Sequence, residues 1–168
     1  MISQVRRGAV HEAGHAVFAV LTNYPFQVVR VNPTGAGHLL GKDDDSDEEV
    51  QFVPMNDDIC TAVVALAGEM AERSILGDCD SPGLAKDREF LGDALRGLAN
   101  DADHEMRIEQ RCRLQLEKLI ETPAIRSAVE RVAEILERRM NLTAAEVEEL
   151  VPADARRAYE ESPNIETS

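Results

Sequence analysis

Several residue types are scarce in this chain of 168 residues, and each scarcity argues against a class of protein. Aromatic residues make up only 4% and tryptophan is absent, so alanine, valine, leucine and isoleucine must fill the core. No apolar run reaches the roughly 20 residues that a membrane-spanning helix needs. We therefore expect one domain, with or without a tail, and no membrane span.

Cationic residues and cysteines are also few. The chain has 18 Lys and Arg against 32 Asp and Glu, which gives a net charge of −14 at pH 7. Nucleic acids and anionic membranes favour basic surfaces, so the composition argues against both as partners. The three cysteines, Cys60, Cys79 and Cys112, form no C-x-x-C pair. Their number and spacing predict no disulfide framework and favour a cytoplasmic location.

The most informative stretch, Gly8–Leu21, reads GAVHEAGHAVFAVL and is apolar except for His11, Glu12 and His15. A helix that is apolar nearly all round belongs in a protein interior, where ionisable groups are costly unless they are paired. His11 and His15 are four residues apart, so they share one helix face and can bind one metal ion. This H-E-x-x-H pattern predicts a zinc site with Glu12 as the general base.

The pattern of apolar residues, caps and turns predicts a mainly α (α+β) fold. A small β-sheet is expected between the helix that carries H-E-x-x-H and the second helix. Residues 1–151 should form the domain and residues 152–168 a polar, flexible tail. The acidic block Asp43–Glu49 is predicted to be a solvated loop, since it lacks the spacing of a calcium loop. The predicted helices are 3–22, 56–76, 84–98, 100–121, 123–140 and 143–150, and the predicted strands are 26–31, 38–40 and 49–53.

A catalytic zinc site needs a third protein ligand, and the sequence leaves several candidates open. Asp87 falls inside the apolar stripe of its predicted helix, where a metal ion would compensate its charge. It could equally be a first-turn carboxylate that the helix dipole favours. Glu72 is a rival. With Arg73 beside it, however, Glu72 has the pattern of an ordinary, partly exposed helix charge. The remaining candidates are His38, Glu69, Asp78, Cys79, Asp80 and His104.

Three segments together resemble one known family. His11–Ala16 reads HEAGHA, Leu66–Glu72 reads LAGEMAE, and Pro82–Asp87 reads PGLAKD. They are similar to the HEAGHA, L-G-G-x-x-A-E and T-G-A-x-N-D segments of the FtsH-type AAA+ zinc proteases (peptidase family M41). Weaker similarity in the closing helices extends the resemblance over most of residues 4–151. It implies a zinc metalloendopeptidase that hydrolyses unfolded polypeptides, with His11, His15 and Asp87 as Zn²⁺ ligands and Glu12 as the catalytic base.

The chain also departs from that family. It has no G-x-x-x-x-G-K-[S/T] phosphate loop, so it is either an excised protease domain or a stand-alone relative without its own ATPase. Pro82 and Lys86 replace the Thr and Asn of the third segment, and Glu69 replaces a residue that is usually basic. An ATPase or adaptor acting in trans and a homo-oligomer remain open. The alternatives are a catalytically weak or inactive module that binds protein partners, and another metal-dependent hydrolase.

Overall fold

The computed structural model describes residues 2–41 and 58–168. These residues form a mainly helical domain with a small three-stranded antiparallel sheet. The predicted strand at 49–53, the acidic block and the predicted N-cap Asn56 lie outside the described residues. The elements in chain order are α1 Gln4–Leu21, β1 Val28–Val31, β2 Gly37–Leu40, α2 Asp58–Leu76, α3 Leu84–Leu98, α4 Ala102–Glu121, α5 Pro123–Arg139, β3 Asn141–Thr143, α6 Ala144–Leu150 and α7 Ala153–Glu160.

Helix α1 is the centre of the fold. It begins after Ser3, whose side chain accepts a hydrogen bond from the backbone N–H of Arg6, as its predicted N-cap role requires. Nearly every residue from Arg7 to Leu21 is buried, which confirms that this apolar helix lies inside the protein. It packs most extensively on α2 and α5. The contact with α2 is close because Gly14 lies against the backbone of Ala67, where a Cβ atom would come within 2.5 Å of the carbonyl oxygen.

The sheet has the strand order β2-β1-β3. Val29 on β1 pairs with Leu39 on β2 and with Leu142 on β3, which forms a buried apolar row across all three strands. The expected sheet is therefore present, but it differs from the prediction because β3 comes from the chain between α5 and α6. Strand β3 was not predicted, since three residues are too few to show the two-residue alternation of a strand.

The C-terminal segment contains a helix that the sequence did not predict. Residues Ala153–Glu160 form helix α7, in which Ala155 is fully buried. Ala158, Tyr159 and Ile165 are partly buried against the core. The segment is polar overall, but its few apolar residues lie at 155, 158 and 159, a spacing that puts them on one helix face.

The remaining helices follow the predicted boundaries closely. Helix α2 ends before Gly77, whose φ of 90° suits a glycine that terminates a helix. Helix α3 spans the predicted residues 84–98, and α6 has the predicted capping box between Thr143 and Glu146. No helix in the described ranges is both long and apolar enough to cross a membrane. No disulfide joins any of the three cysteines, all of which lie among the described residues.

Candidate metal centre

Helices α1 and α3 bring together in the core three side chains that could hold a metal ion. The Nε2 atoms of His11 and His15 lie 3.0 Å apart, at the predicted one-turn spacing. Asp87 Oδ2 lies 2.7 Å from Nε2 of His11 and 3.4 Å from Nε2 of His15. All three residues are buried. The structure therefore places Asp87 beside the histidines, as the apolar stripe of α3 and the resemblance had each suggested.

The separations of these three atoms suit a small tetrahedral ion. Zinc binds nitrogen and oxygen at roughly 2.0–2.2 Å, so neighbouring ligand atoms around a tetrahedral ion are about 3.3 Å apart. The separations of 3.0 and 3.4 Å are close to that value, whereas the 2.7 Å between Asp87 and His11 is a hydrogen-bond distance that would lengthen by about 0.6 Å around an ion. Three protein ligands also leave one tetrahedral position open, which is the arrangement of catalytic zinc sites.

The other ring nitrogen of each histidine has its own partner. The Nδ1–H of His15 donates to the carbonyl oxygen of Val64 at 2.6 Å, and since a carbonyl only accepts, Nδ1 must carry the proton. The Nδ1 of His11 lies 2.7 Å from the Glu72 carboxylate, which likewise accepts. In the neutral imidazoles both Nε2 atoms therefore direct a lone pair toward the centre. Such partners on the far side of the ring are typical of histidines that bind metals.

Gly68 on α2 supplies the space beside the two histidines. A Cβ atom at this position would lie 2.4 Å from Nε2 of His15 and 2.8 Å from Nε2 of His11. Side chains cannot approach so closely, so every residue other than glycine would crowd the two ligand atoms. Gly68 belongs to the LAGEMAE segment, but it was not predicted to be a site residue.

Glu12 lies next to the centre, and one of its two carboxylate oxygens has no hydrogen-bond partner among the described residues. Glu12 is 3% exposed, and the oxygen without a partner is Oε2. Gly37 on β2 permits the close approach of its side chain, because a Cβ there would lie 2.4 Å from Cγ of Glu12. Burial raises the pKa of Glu12 to about 7, although the charges of His15 and His11 lower it. A buried carboxylate oxygen without a hydrogen bond requires a further partner, such as a water molecule.

A small pocket opens from this centre between β2 and α3. Its floor contains Glu12, His15 and Asp87, so the Glu12 carboxylate and two of the three candidate ligands face one cavity. The remaining lining residues are Gly37, His38, Gly83, Lys86 and Phe90.

Electrostatics at the centre favour a positive charge. Burial alone would lower the pKa of His11, but hydrogen bonds to Asp87, Cys79 and Glu72 and the charge of Glu12 raise it well above its usual value. Burial would raise the pKa of Asp87, yet the two histidines hold it well below its ordinary range. The centre therefore favours a cation, and a divalent ion would displace any proton held on the Nε2 atoms of the two histidines.

Glu72, the rival third ligand, lies on the opposite side of His11. It is fully buried and not a partly exposed helix charge, because it packs behind the imidazole. Cys79 lies 3.5 Å from it, so His11, Glu72 and Cys79 form a second group of potential metal ligands. The oxygens of Glu72 already accept hydrogen bonds from Arg7, from the Asp80 N–H and from His11. Glu72 is therefore satisfied as a partner of His11 and not as a ligand.

The other candidates are more distant or serve other contacts. Asp78 pairs with Arg7, and the backbone N–H of Asp80 donates to Glu72. Glu69 forms ion pairs with Arg73 and Arg113 away from the histidines. His104 lies at the start of α4, and His38 lines the pocket without joining the three candidate ligands.

Comparison with protein-family models finds no match for the chain, and comparison with curated proteins finds none either.

Proposed function

We propose that the chain is a zinc-dependent endopeptidase, similar to the protease domain of the FtsH type, that hydrolyses unfolded or unstructured polypeptides. One observation carries the proposal. Three potential ligand atoms, from His11, His15 and Asp87, converge beside the buried carboxylate of Glu12. The Oε2 atom of Glu12 has no hydrogen-bond partner among the described residues, and a pocket opens at that point. The residues fit the two halves of metal-assisted hydrolysis, a metal with an open position and an adjacent base.

His11, His15 and Asp87 would hold the ion. When bound, Zn²⁺ supplies Lewis-acid polarisation of the scissile carbonyl and makes water easier to deprotonate. Glu12 would accept a proton from the attacking water as the water oxygen bonds to the carbonyl carbon. It would then deliver that proton to the nitrogen of the leaving amine as the C–N bond breaks. Burial raises the pKa of Glu12 to about 7, which suits a group that takes up and returns a proton. Its Oε2 atom is available for this role, because no residue in the described part of the chain hydrogen-bonds to it.

The sheet edge beside the pocket supports an extended polypeptide as the substrate. Within the described residues β2 pairs with β1 on one side alone, and Gly37 and His38 at its start line the pocket. A peptide in strand conformation could add to the other edge by backbone hydrogen bonds.

The test compares wild type with Glu12→Gln on an unfolded protein such as casein, with and without a chelator. We expect cleavage by the zinc-loaded wild type, loss of cleavage with the chelator, and a decrease of at least about 100-fold in Glu12→Gln. Zinc content and circular dichroism of the variant should match the wild type. Glu89→Gln, an exposed glutamate on α3, is the control and should retain activity.

Three results would contradict the proposal. An unchanged rate in Glu12→Gln would remove Glu12 from its role as base. Wild-type protein that binds zinc but cleaves no unfolded substrate would favour a binding or regulatory module. Products with all amide bonds intact would favour a different metal-dependent hydrolase.

A further inference from the structure

A line of charged contacts runs from the protein surface to the far side of His11. Asp78 Oδ1, on an exposed side chain, lies 2.6 Å from Nη1 of Arg7. The same Nη1 lies 3.1 Å from Oε2 of Glu72, and Oε1 of Glu72 lies 2.7 Å from Nδ1 of His11. Arg7 and Glu72 are buried, so a cation and a carboxylate face each other in the core directly behind a metal-binding imidazole.

The two helices align these groups in matched rows. Arg7, His11 and His15 are spaced four residues apart on α1 and therefore lie on one face. An equivalent row on α2 runs from the end near His15 to the end near Arg7 and consists of Val64, Gly68 and Glu72. Arg7 thus continues the row of metal ligands by one helical turn.

The orientation of the Glu72 carboxylate depends on Arg7. Its Oε2 atom accepts hydrogen bonds from Arg7 and from the backbone N–H of Asp80. Its Oε1 atom faces Nδ1 of His11 at 2.7 Å and accepts a longer hydrogen bond of 3.5 Å from Sγ of Cys79. A carboxylate fixed in this way keeps the proton of His11 on Nδ1 and makes Nε2 a better electron-pair donor. Without Arg7, Glu72 would lose the only arginine that contacts it among the described residues.

Packing alone is a poor explanation for this ion pair. Buried pairs give back much of their attraction as desolvation cost, and well-packed apolar residues often replace them without loss of stability. A pair placed behind a ligand has a further consequence, because partners of that kind commonly change metal affinity by about 10–100-fold. We infer that Arg7 is a positioning residue of the metal centre, which holds Glu72 in place and so sets the orientation and donor strength of His11.

This inference rests on the metal site of the proposed function but not on its hydrolytic activity. The test measures the Zn²⁺ dissociation constant of the full chain by competition with a chromophoric chelator. We expect Arg7→Met to weaken binding by about 10–100-fold and Arg7→Lys by less, because an ammonium restores the charge. The control is Arg6→Met, which removes the neighbouring arginine and its ion pair with Glu137. It should change the affinity less than about twofold, since Arg6 does not contact the line of residues behind His11.

A second measurement separates positioning from a general loss of structure. Long-range ¹H–¹⁵N spectra of the zinc-loaded protein report which imidazole nitrogen carries the proton. We expect the Nδ1–H signal of His11 to shift in Arg7→Met, while that of His15, bonded to Val64, stays in place. If Arg7→Met does not fold, the comparison of Arg7→Lys with Arg6→Lys replaces it, with at least about threefold weaker binding expected for the former.

Equal zinc affinities in Arg7→Met and wild type would overturn the inference, and so would equal losses in the Arg6 and Arg7 variants. Wild-type protein that binds no zinc would overturn the proposed centre as well. Binding that depends on Arg7 in a protein without peptidase activity would support the inference while contradicting the proposed function.

Discussion

At the scale of single residues, each ionisable group of the centre is compensated by one of its neighbours. His11 and Asp87 each have a pKa displaced toward the charged form, in spite of burial that opposes it. Glu12 is the exception, because burial dominates there and raises its pKa. The three candidate ligands therefore favour a cation, whereas the pKa of Glu12, the proposed base, suits a group that both takes up and returns a proton.

The space beside the ligands is as specific as their chemistry. We expect Gly68→Ala to abolish zinc binding, because its Cβ would lie 2.4 Å from Nε2 of His15 and force the ligand atoms apart. Gly92→Ala on α3 is the matched control, since its nearest contact is the flexible end of Arg96 at 3.2 Å. Metal analysis after dialysis measures both. Full zinc occupancy in Gly68→Ala would show that the ion does not lie between the two histidines.

Asp87 should contribute to zinc binding through its charge as well as its oxygen. Asp87→Asn keeps the shape and one oxygen but loses the anion, so we expect zinc affinity to fall by at least about tenfold. Asp93→Asn on the same helix removes an exposed carboxylate and should leave the affinity unchanged. Competition with a chelator measures both variants. Equal affinity in Asp87→Asn and wild type would transfer the third-ligand role to another group.

At the scale of elements, sequence patterns predicted what is long or chemically marked. Helix α1 follows from its apolar run and Ser3 cap, and α3 follows from an apolar stripe that also includes Asp87. Strand β3 has a single buried residue, Leu142, and pairs with β1 more than 100 residues earlier, so no local pattern predicts it. Arg7 was missed for a related reason, since its partner Glu72 is 65 residues away.

The contact between α2 and α4 depends on a charged residue that was expected to be a departure from the family pattern. Glu69 is almost fully buried, and its Oε1 lies 3.0 Å from Arg113 and 2.9 Å from Arg73. Burial would raise the pKa of Glu69, but the two arginines more than offset that effect and lower it. A basic residue at this position would repel Arg113, so the acidic residue suits this particular pair of helices.

That lowered pKa predicts how stability depends on pH. A carboxyl group with a lower pKa in the folded state stabilises the fold above its unfolded value of 4.5, and the effect is lost as pH falls through the folded value. We expect Glu69→Gln to lower the free energy of unfolding by about 1–2 kcal/mol at pH 7, since the arginines are partly exposed. Urea denaturation should show this difference shrinking below pH 4.5. A difference that is constant with pH would contradict the ionic explanation, and Glu134→Gln, at an exposed pair on α5, is the control.

At the scale of the whole molecule, the centre depends on contacts between distant parts of the chain. Residues from α1, α2 and α3 meet at His11, and β2 closes one side of the pocket. The ligands are therefore positioned by the assembled core and not by one local motif. Loss of packing far from the centre should consequently weaken it through global stability.

The C-terminal segment packs on that core through helix α7. Ala155 on α7 is fully buried and α7 packs on α5 and α1, so Ala155→Glu would place an unpaired carboxylate in an apolar contact. We expect a loss of about 2–4 kcal/mol in the free energy of unfolding, measured by urea denaturation. Ala153→Glu, two residues earlier on an exposed position in the first turn of α7, should change stability by less than about 0.5 kcal/mol. Equal stability of the two variants would mean that α7 does not pack on the domain in solution, and that the expectation of a flexible tail was correct.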